Sequence, residues 1–385
     1  TDVCLEHEPV RVAAGRFNRL RPARVDQTDT DTMAIHLFQR RRDRIVGIVV
    51  GHLGEHVIGR VGRAAMRRLD LRDLPIDPRR RREPDHRVDD RDSLQPGHVR
   101  DTTWMSDPDV HSQTNEAGEP VVLVERPRPG TAVIRMNRPE RMNSMAFELM
   151  VPLAAVFDEI DADNDITCVV LTGTGNGFCS GADTRDTMPP PNINGLGLSG
   201  IATKAMATLA DLVPRMRRMN KPIIAAINGA AIGGGMCLTL GADIRLAGES
   251  AYFRAAGINN GLTATELGLS FLLPRAVGST HAFEFMLSGR DLDAEEAARI
   301  GLVSRVVPDD ELLDAALDLA DQINGWSTQG VALTKKMMWS GLETASLAAA
   351  IELESHTQLY VRLTTQNFQE ATRARAEGRS PDFTD

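Results

Sequence analysis

Apolar and polar positions follow two different rhythms along these 385 residues. Up to about residue 104 no period lasts, and only residues 45–50 and 57–65 gather apolar side chains. So little clustered apolar surface does not offset the entropy of ordering a chain, and a packed core is not expected there. From Pro120 the pattern becomes that of a folded domain. Residues 121–125 and 131–136 read as two strands joined by the turn Arg-Pro-Arg-Pro-Gly at 126–130. Leu149, Leu153, Val156 and Ile160 recur at helical spacing and predict a helix over 144–161. Residues 168–172 and 223–227 are short unbroken apolar runs, as expected of buried strands, and each runs into a glycine-rich loop. Residues 184–200, with Pro-Pro-Pro at 189–191 and three glycines, read as a mobile loop, and 202–219 as a helix.

The apolar segment 236–240 follows the second glycine-rich loop, and 244–247 and 251–255 read as further short strands. After about residue 264 the pattern predicts helices alone. Ser279 and Asp293 suit N-caps, Asp293 with Glu296 three residues on. Gly289 and Gly301 suit helix ends, and 310–323 and 343–375 read as amphipathic helices. Strands alternating with helices, followed by a helical tail, define an α/β core with an α-helical C-terminal region.

Charge divides the chain where the rhythm does. Residues 1–104 hold 21 Arg and no Lys against 17 acidic residues, so the total of −9 is carried by the remainder. An ordinary polar start, Met-Ser-Asp-Pro-Asp, stands at 105–109. We therefore expect translation to begin at Met105, with 1–104 an atypical Arg-rich extension arising from a start placed too early. A nucleic-acid-binding arm is the competing reading. Interleaved acids and only two aromatic residues before Trp104, Phe17 and Phe38, count against it, so no nucleic-acid partner is expected. No run of about 18 apolar residues suggests a membrane span, and no secretion signal is evident. Cys4, Cys168, Cys179 and Cys237 match neither a zinc nor a disulfide spacing, which points to reduced thiols, a cytoplasmic location and no metal.

The chemistry concentrates in the two glycine-rich loops, 173–183 (Gly-Thr-Gly-Asn-Gly-Phe-Cys-Ser-Gly-Ala-Asp) and 228–235 (Asn-Gly-Ala-Ala-Ile-Gly-Gly-Gly). Glycines after a strand let a ligand approach the backbone, and amides opening a helix are unpaired. Either loop alone is also compatible with a plain tight turn. Neither carries the Gly-Lys-Ser/Thr of a phosphate loop.

Taken with 137–144 (Asn-Arg-Pro-Glu-Arg-Met-Asn-Ser), 294–297 (Ala-Glu-Glu-Ala), 301–303 (Gly-Leu-Val), 368–371 (Phe-Gln-Glu-Ala) and 379–383 (Arg-Ser-Pro-Asp-Phe), the two loops give a chain that resembles the enoyl-CoA hydratase/isomerase (crotonase) family from about residue 118 onward. The resemblance implies a spiral of ββα turns at 118–307. It also implies an α-helical trimerisation region at 308–385 and a homotrimer or hexamer. The expected substrate is an acyl-CoA thioester, with coenzyme A as part of the substrate and no separate cofactor. It assigns the oxyanion hole to the amides of Ala182 and Gly234. Arg141, Met142, Ser180, Asp183, Thr184 and Gly233 fall on segments that border the substrate. Arg138 or Arg141 could meet CoA phosphates, and a solvated surface role suits them equally.

Hydratases of this family use two glutamates, and by motif match their positions here are Cys237 and Gly257. Both carboxylates are missing. Glu266, twelve residues before Gly278, stands where the isomerase branch carries its single catalytic acid. Leu262, Leu267, Leu269 and Phe271 are the expected apolar surround that would raise its pKa; a helix-decorating role is the alternative. The leading expectation is an isomerase with Glu266 as acid/base. An enoyl-CoA hydratase and a non-catalytic acyl-CoA-binding protein are the alternatives.

Overall fold

The computed structural model describes residues 36–38, 47–49, 112–185 and 188–383, and the chain divides into two units, Thr1–Pro96 and Gly97–Asp385. In the first unit, β1 (His36–Phe38) pairs antiparallel with β2 (Gly47–Val49), with Leu37 opposite Ile48. The rest of the Arg-rich extension, and the start expected at Met105, lie outside the described residues.

The second unit opens with β3 (Val122–Arg128), β4 (Gly130–Met136) and α1 (Phe147–Ala162). Next come β5 (Ile166–Gly173), β6 (Gly177–Cys179), α2 (Leu198–Ala210) and α3 (Leu212–Arg218). The pattern repeats in β7 (Ile223–Ile227), β8 (Ala230–Ile232) and α4 (Gly234–Gly241), then in β9 (Ile244–Gly248), β10 (Tyr252–Arg254) and α5 (Leu269–Ser288). The remainder is β11 (Leu292–Asp293), α6 (Ala294–Arg299), β12 (Arg305–Val307), α7 (Leu312–Asn324), α8 (Thr328–Glu343), α9 (Leu347–Thr364) and α10 (Asn367–Glu377).

Among the described residues of this second unit two sheets form, in the orders β12-β9-β7-β5-β4-β3 and β11-β10-β8-β6. In each of three successive turns one strand joins the larger sheet (β5, β7, β9), the next joins the smaller (β6, β8, β10), and helix carries the chain back. That is a spiral of ββα turns, with parallel pairing between equivalent strands. The larger sheet is covered on both faces. Ile134, Val169, Leu171, Ile223 and Ala225 enter the main core. Val133, Cys168, Val170, Ile224 and Leu246 meet Leu312, Ala316, Leu317 and Ala320 of α7 on the other side. Successive strand residues alternate faces, so a sheet covered twice needs an unbroken apolar run. The region expected at 308–385 thus begins with a helix laid on the sheet.

Three expectations change. The chain after residue 264 is not all helical, because β11 pairs with β10 and β12 with β9. Strands of two and three residues are too short to show alternation and are specified by the neighbour they meet. The single helix expected over 343–375 is two, α9 and α10, and α8 was not foreseen. Ser279 follows a kink at Gly278 (φ 77°, ψ 159°) inside α5, so it opens the second half of a bent helix. Asp293 does cap α6, accepting from the Glu296 amide at 2.8 Å, and Gly289, at φ 65°, ends α5.

Candidate active site

The three motif segments are knitted together by backbone and asparagine hydrogen bonds. At 142 and 143 the chain turns through left-handed conformations (φ 49° and 52°). The Asn143 side chain accepts from the Arg138 amide at 2.8 Å and donates to the carbonyls of Thr174 (3.0 Å) and Gly177 (2.8 Å). The Met145 amide donates to Gly181 O (2.7 Å), Asp183 N to Met145 O (3.2 Å) and Ser180 N to Met142 O (3.0 Å). Asn228 ties the second loop to the first. Its Nδ2 donates to Gly173 O (2.9 Å) and Gly175 O (2.8 Å), and its Oδ1 accepts from Gly173 N (3.1 Å). Sequence reasoning placed both asparagines inside motifs and gave them no task. The signal was there, since asparagine tolerates left-handed turns and bonds neighbouring backbone.

Close approach fixes the gap between the loops. Gly181 has φ 83°, and a Cβ there would lie 2.7 Å from Ile232 O, so the two loops meet backbone to backbone. Gly234 is the first residue of α4, and Ala182 lies exposed just past Gly181. Among the described residues neither amide donates to a backbone or side-chain acceptor. Each is free to hold an anionic oxygen, and the Gly234 amide adds the positive end of its helix.

Two carboxylates border these amides. Asp183 is 3% exposed at its side chain and is paired with Arg141 and, at 3.3 Å, with Arg138, while Ser144 Oγ donates to it at 3.0 Å. Burial alone would raise its pKa; the bonds from Arg141, the Arg185 amide and Ser144 outweigh burial and hold it at about 2. Arg138 is itself buried and also pairs with Glu148. Both arginines are therefore engaged by carboxylates of this chain. Ser180 is half-buried, Met142 is 41% exposed and Thr184 is exposed.

Glu266 approaches from the opposite segment. Its Oε1 lies 3.1 Å from where a side chain on Gly233 would begin. It is half-buried, and among the described residues its carboxylate has no hydrogen-bond or ion-pair partner. Burial pushes its pKa above the usual glutamate value. Of the expected apolar neighbours, Leu267 is partly buried with Cδ1 close to Gly234, and Leu269 is fully buried. Leu262 is 69% exposed, and Phe271 stacks under the Arg275 guanidinium at 3.5 Å. Those two are exposed and do not enclose the acid; the Ala256 Cβ lies 3.7 Å from the same Gly233 position that Glu266 approaches. Cys237 and Gly257 lie beneath the Glu266 segment: Cys237 Sγ donates to Glu266 O at 3.4 Å, and Gly257 packs against the Thr263 carbonyl. A cavity of about 850 Å³ borders Leu267 and Gly268 and runs between α3 and α8. A larger one of about 1350 Å³ lies among α5, α8 and α9, and none of Ala182, Gly233, Gly234 or Glu266 lines it.

The family model for enoyl-CoA hydratase/isomerase matches residues 127–385. The chain belongs to that family. It is 58% identical over 265 residues to a probable enoyl-CoA hydratase of Mycobacterium bovis, covering 69% of this chain and 93% of the relative. Among solved structures, a probable enoyl-CoA hydratase/isomerase from Mycobacterium abscessus superposes with a TM-score of 0.66 at 55% identity, over 68% of this chain and 98% of that one. A monofunctional enoyl CoA isomerase from Mycobacterium smegmatis gives a TM-score of 0.52 at 50% identity, over 60% and 98%. The spiral is therefore the crotonase fold, and the chain is an acyl-CoA enzyme of this family. No helix among the described residues is long and apolar enough to cross a membrane.

Proposed function

We propose that this enzyme moves the double bond of a 3-enoyl-CoA thioester into conjugation, with Glu266 as the only acid/base. The observation that carries the reading is one carboxylate beside Gly233, without a partner among the described residues, with a thiol and a glycine where a hydratase would hold two acids. The amides of Ala182 and Gly234 receive the thioester oxygen. The Glu266 carboxylate takes a proton from C2, and the electron pair spreads through the thioester as a dienolate. The same carboxyl group, now protonated, returns the proton to C4, and the double bond settles between C2 and C3. Each amide contributes about 3–4 kcal/mol if it strengthens its bond in the transition state. A base with a raised pKa is matched to this weakly acidic carbon. Arg141, Met142, Ser180, Asp183 and Thr184 border the CoA portion, with Asp183 holding the loop. The isomerase at 50% identity supports the reading.

Hydration of a 2-enoyl-CoA is the second reading, favoured by the name of the relative at 58% identity. Exposed apolar residues on α5 and α9, including Phe283, Leu287, Leu347 and Leu363, support assembly into trimers or hexamers. Purified protein and Glu266→Gln are compared on both esters, following the conjugated thioester. Isomerisation of the 3-enoyl ester that disappears with Glu266→Gln is the expected result. Hydration of the 2-enoyl ester alone, or a fully active Glu266→Gln, would sink the proposal.

A further inference from the structure

Residues 255–268 make an unusual path to bring Glu266 over Gly233. Gly257 caps a short 3-10 turn (Ile258–Asn260), and its carbonyl accepts from the amides of Asn260 (3.1 Å) and Leu262 (2.9 Å). The chain then doubles back until the Thr263 carbonyl lies against the Gly257 Cα. A Cβ on Gly257 would overlap that carbonyl oxygen and stand 3.3 Å from Ala264 Cα. Gly257 has φ −54°, so crowding and not backbone conformation demands the glycine. Past Ala264, which is buried, the chain reaches Glu266 and turns sharply through Leu267 (φ 42°) and Gly268 (φ 92°) into α5.

Glu266 O is held at this turn by two donors. One is the Leu269 amide at 2.7 Å, and the other is Cys237 Sγ at 3.4 Å. Cys237 is fully buried, and burial pushes its thiol pKa up, so it stays a neutral S–H donor. It stands three residues after Gly234 on α4, about one helical turn away. The same helix thus presents an amide to the substrate oxygen and holds the backbone that carries the acid.

We propose that Cys237 and Gly257 are positioning residues for Glu266, holding its carboxylate at a fixed distance from the Gly234 amide. The inference rests on Glu266 being the acid/base. It also implies that Gly257→Glu cannot restore a second acid without displacing the first.

The test is kcat and KM on a 3-enoyl-CoA for wild type, Cys237→Ala, Cys237→Ser, Gly257→Ala and Glu266→Gln, with melting temperatures beside them. Loss of one hydrogen bond predicts a fall in kcat of about fivefold for Cys237→Ala, with KM within about twofold. Cys237→Ser, which keeps a donor, recovers most of it. An ångström-scale shift of the Glu266 segment predicts a fall of about a hundredfold for Gly257→Ala. Should Gly257→Ala fail to fold, the Cys237 pair decides. Wild-type kcat in Cys237→Ala, or a Cys237→Ser no better than Cys237→Ala, overturns the positioning role. A fully active Glu266→Gln overturns the acid/base assignment instead, so the two failures are separable.

Discussion

Asp183 stands one residue past Ala182, and Glu266 stands beside Gly233, so two carboxylates border the same pair of amides from opposite segments. Their surroundings drive them apart. Asp183 is enclosed by Arg138, Arg141 and Ser144 and is held ionised at about 2. Glu266 has apolar neighbours and, among the described residues, no partner for its carboxylate, and burial raises its pKa. A carboxylate locked in its charged form by cationic partners serves as a strut; one without such partners, whose burial favours the protonated form, is suited to proton transfer. Sequence position places Asp183 at the end of a glycine-rich loop and Glu266 twelve residues before Gly278, and says nothing of their partners. The partners separate them.

The sharpest way to break this contrast is to neutralise each carboxylate in turn. Glu266→Gln should lower kcat on a 3-enoyl-CoA by about a thousandfold, within the range for a lost general acid/base, while its melting temperature holds or rises. Ala182→Pro removes one candidate oxyanion donor and leaves both carboxylates in place. Steady-state kinetics should show kcat down by roughly a hundredfold or more. Asp183→Asn should act mainly on the fold. Taking the anion from Arg141, and leaving Arg138 with Glu148 alone, costs on the order of 2–3 kcal/mol, visible as a lower denaturation midpoint. A variant that loses activity and keeps full stability would break the assignment of Asp183 as a strut.

The smallest effect is the dependence of stability on pH, and the two groups have opposite signs. The folded-state pKa of Asp183 is depressed, so its stabilisation is present above the unfolded value of about 3.9 and is lost as pH falls towards about 2. The folded-state pKa of Glu266 is raised. Below about pH 4 both folded and unfolded chains hold its proton. As pH rises through the unfolded value the unfolded chain releases the proton first, which weakens the fold until the raised value is passed. Melting temperatures of Glu266→Gln and wild type should therefore coincide at low pH. The variant should gain as pH rises and then stay ahead by a constant margin. The isomerisation rate should rise with pH on a limb above the ordinary glutamate range, because the base must be ionised.

The elements that the sequence determined by itself are those with local causes. Unbroken apolar runs located β5 and β7, helical spacing located α1, and clustered glycines after strands located both loops. Asp293 announced α6 because a cap acts over three residues. Glu266 was found by its offset from a downstream motif. The tertiary structure alone decided what depends on residues far apart in the chain. Asp183 is a strut only because Arg138 and Arg141, more than 40 residues earlier, reach it. The strands β11 and β12 exist only because β10 and β9 offer open edges. Leu262 and Phe271 stand exposed rather than around the acid, an outcome of how the segments before and within α5 pack. Cys237 meets Glu266 across 29 residues, joining two elements that have no common pattern. Periodicity and capping are short-range effects and can be read from the chain. Which charges meet, and which carboxylate is left without a partner, is set by packing between segments that no local pattern links.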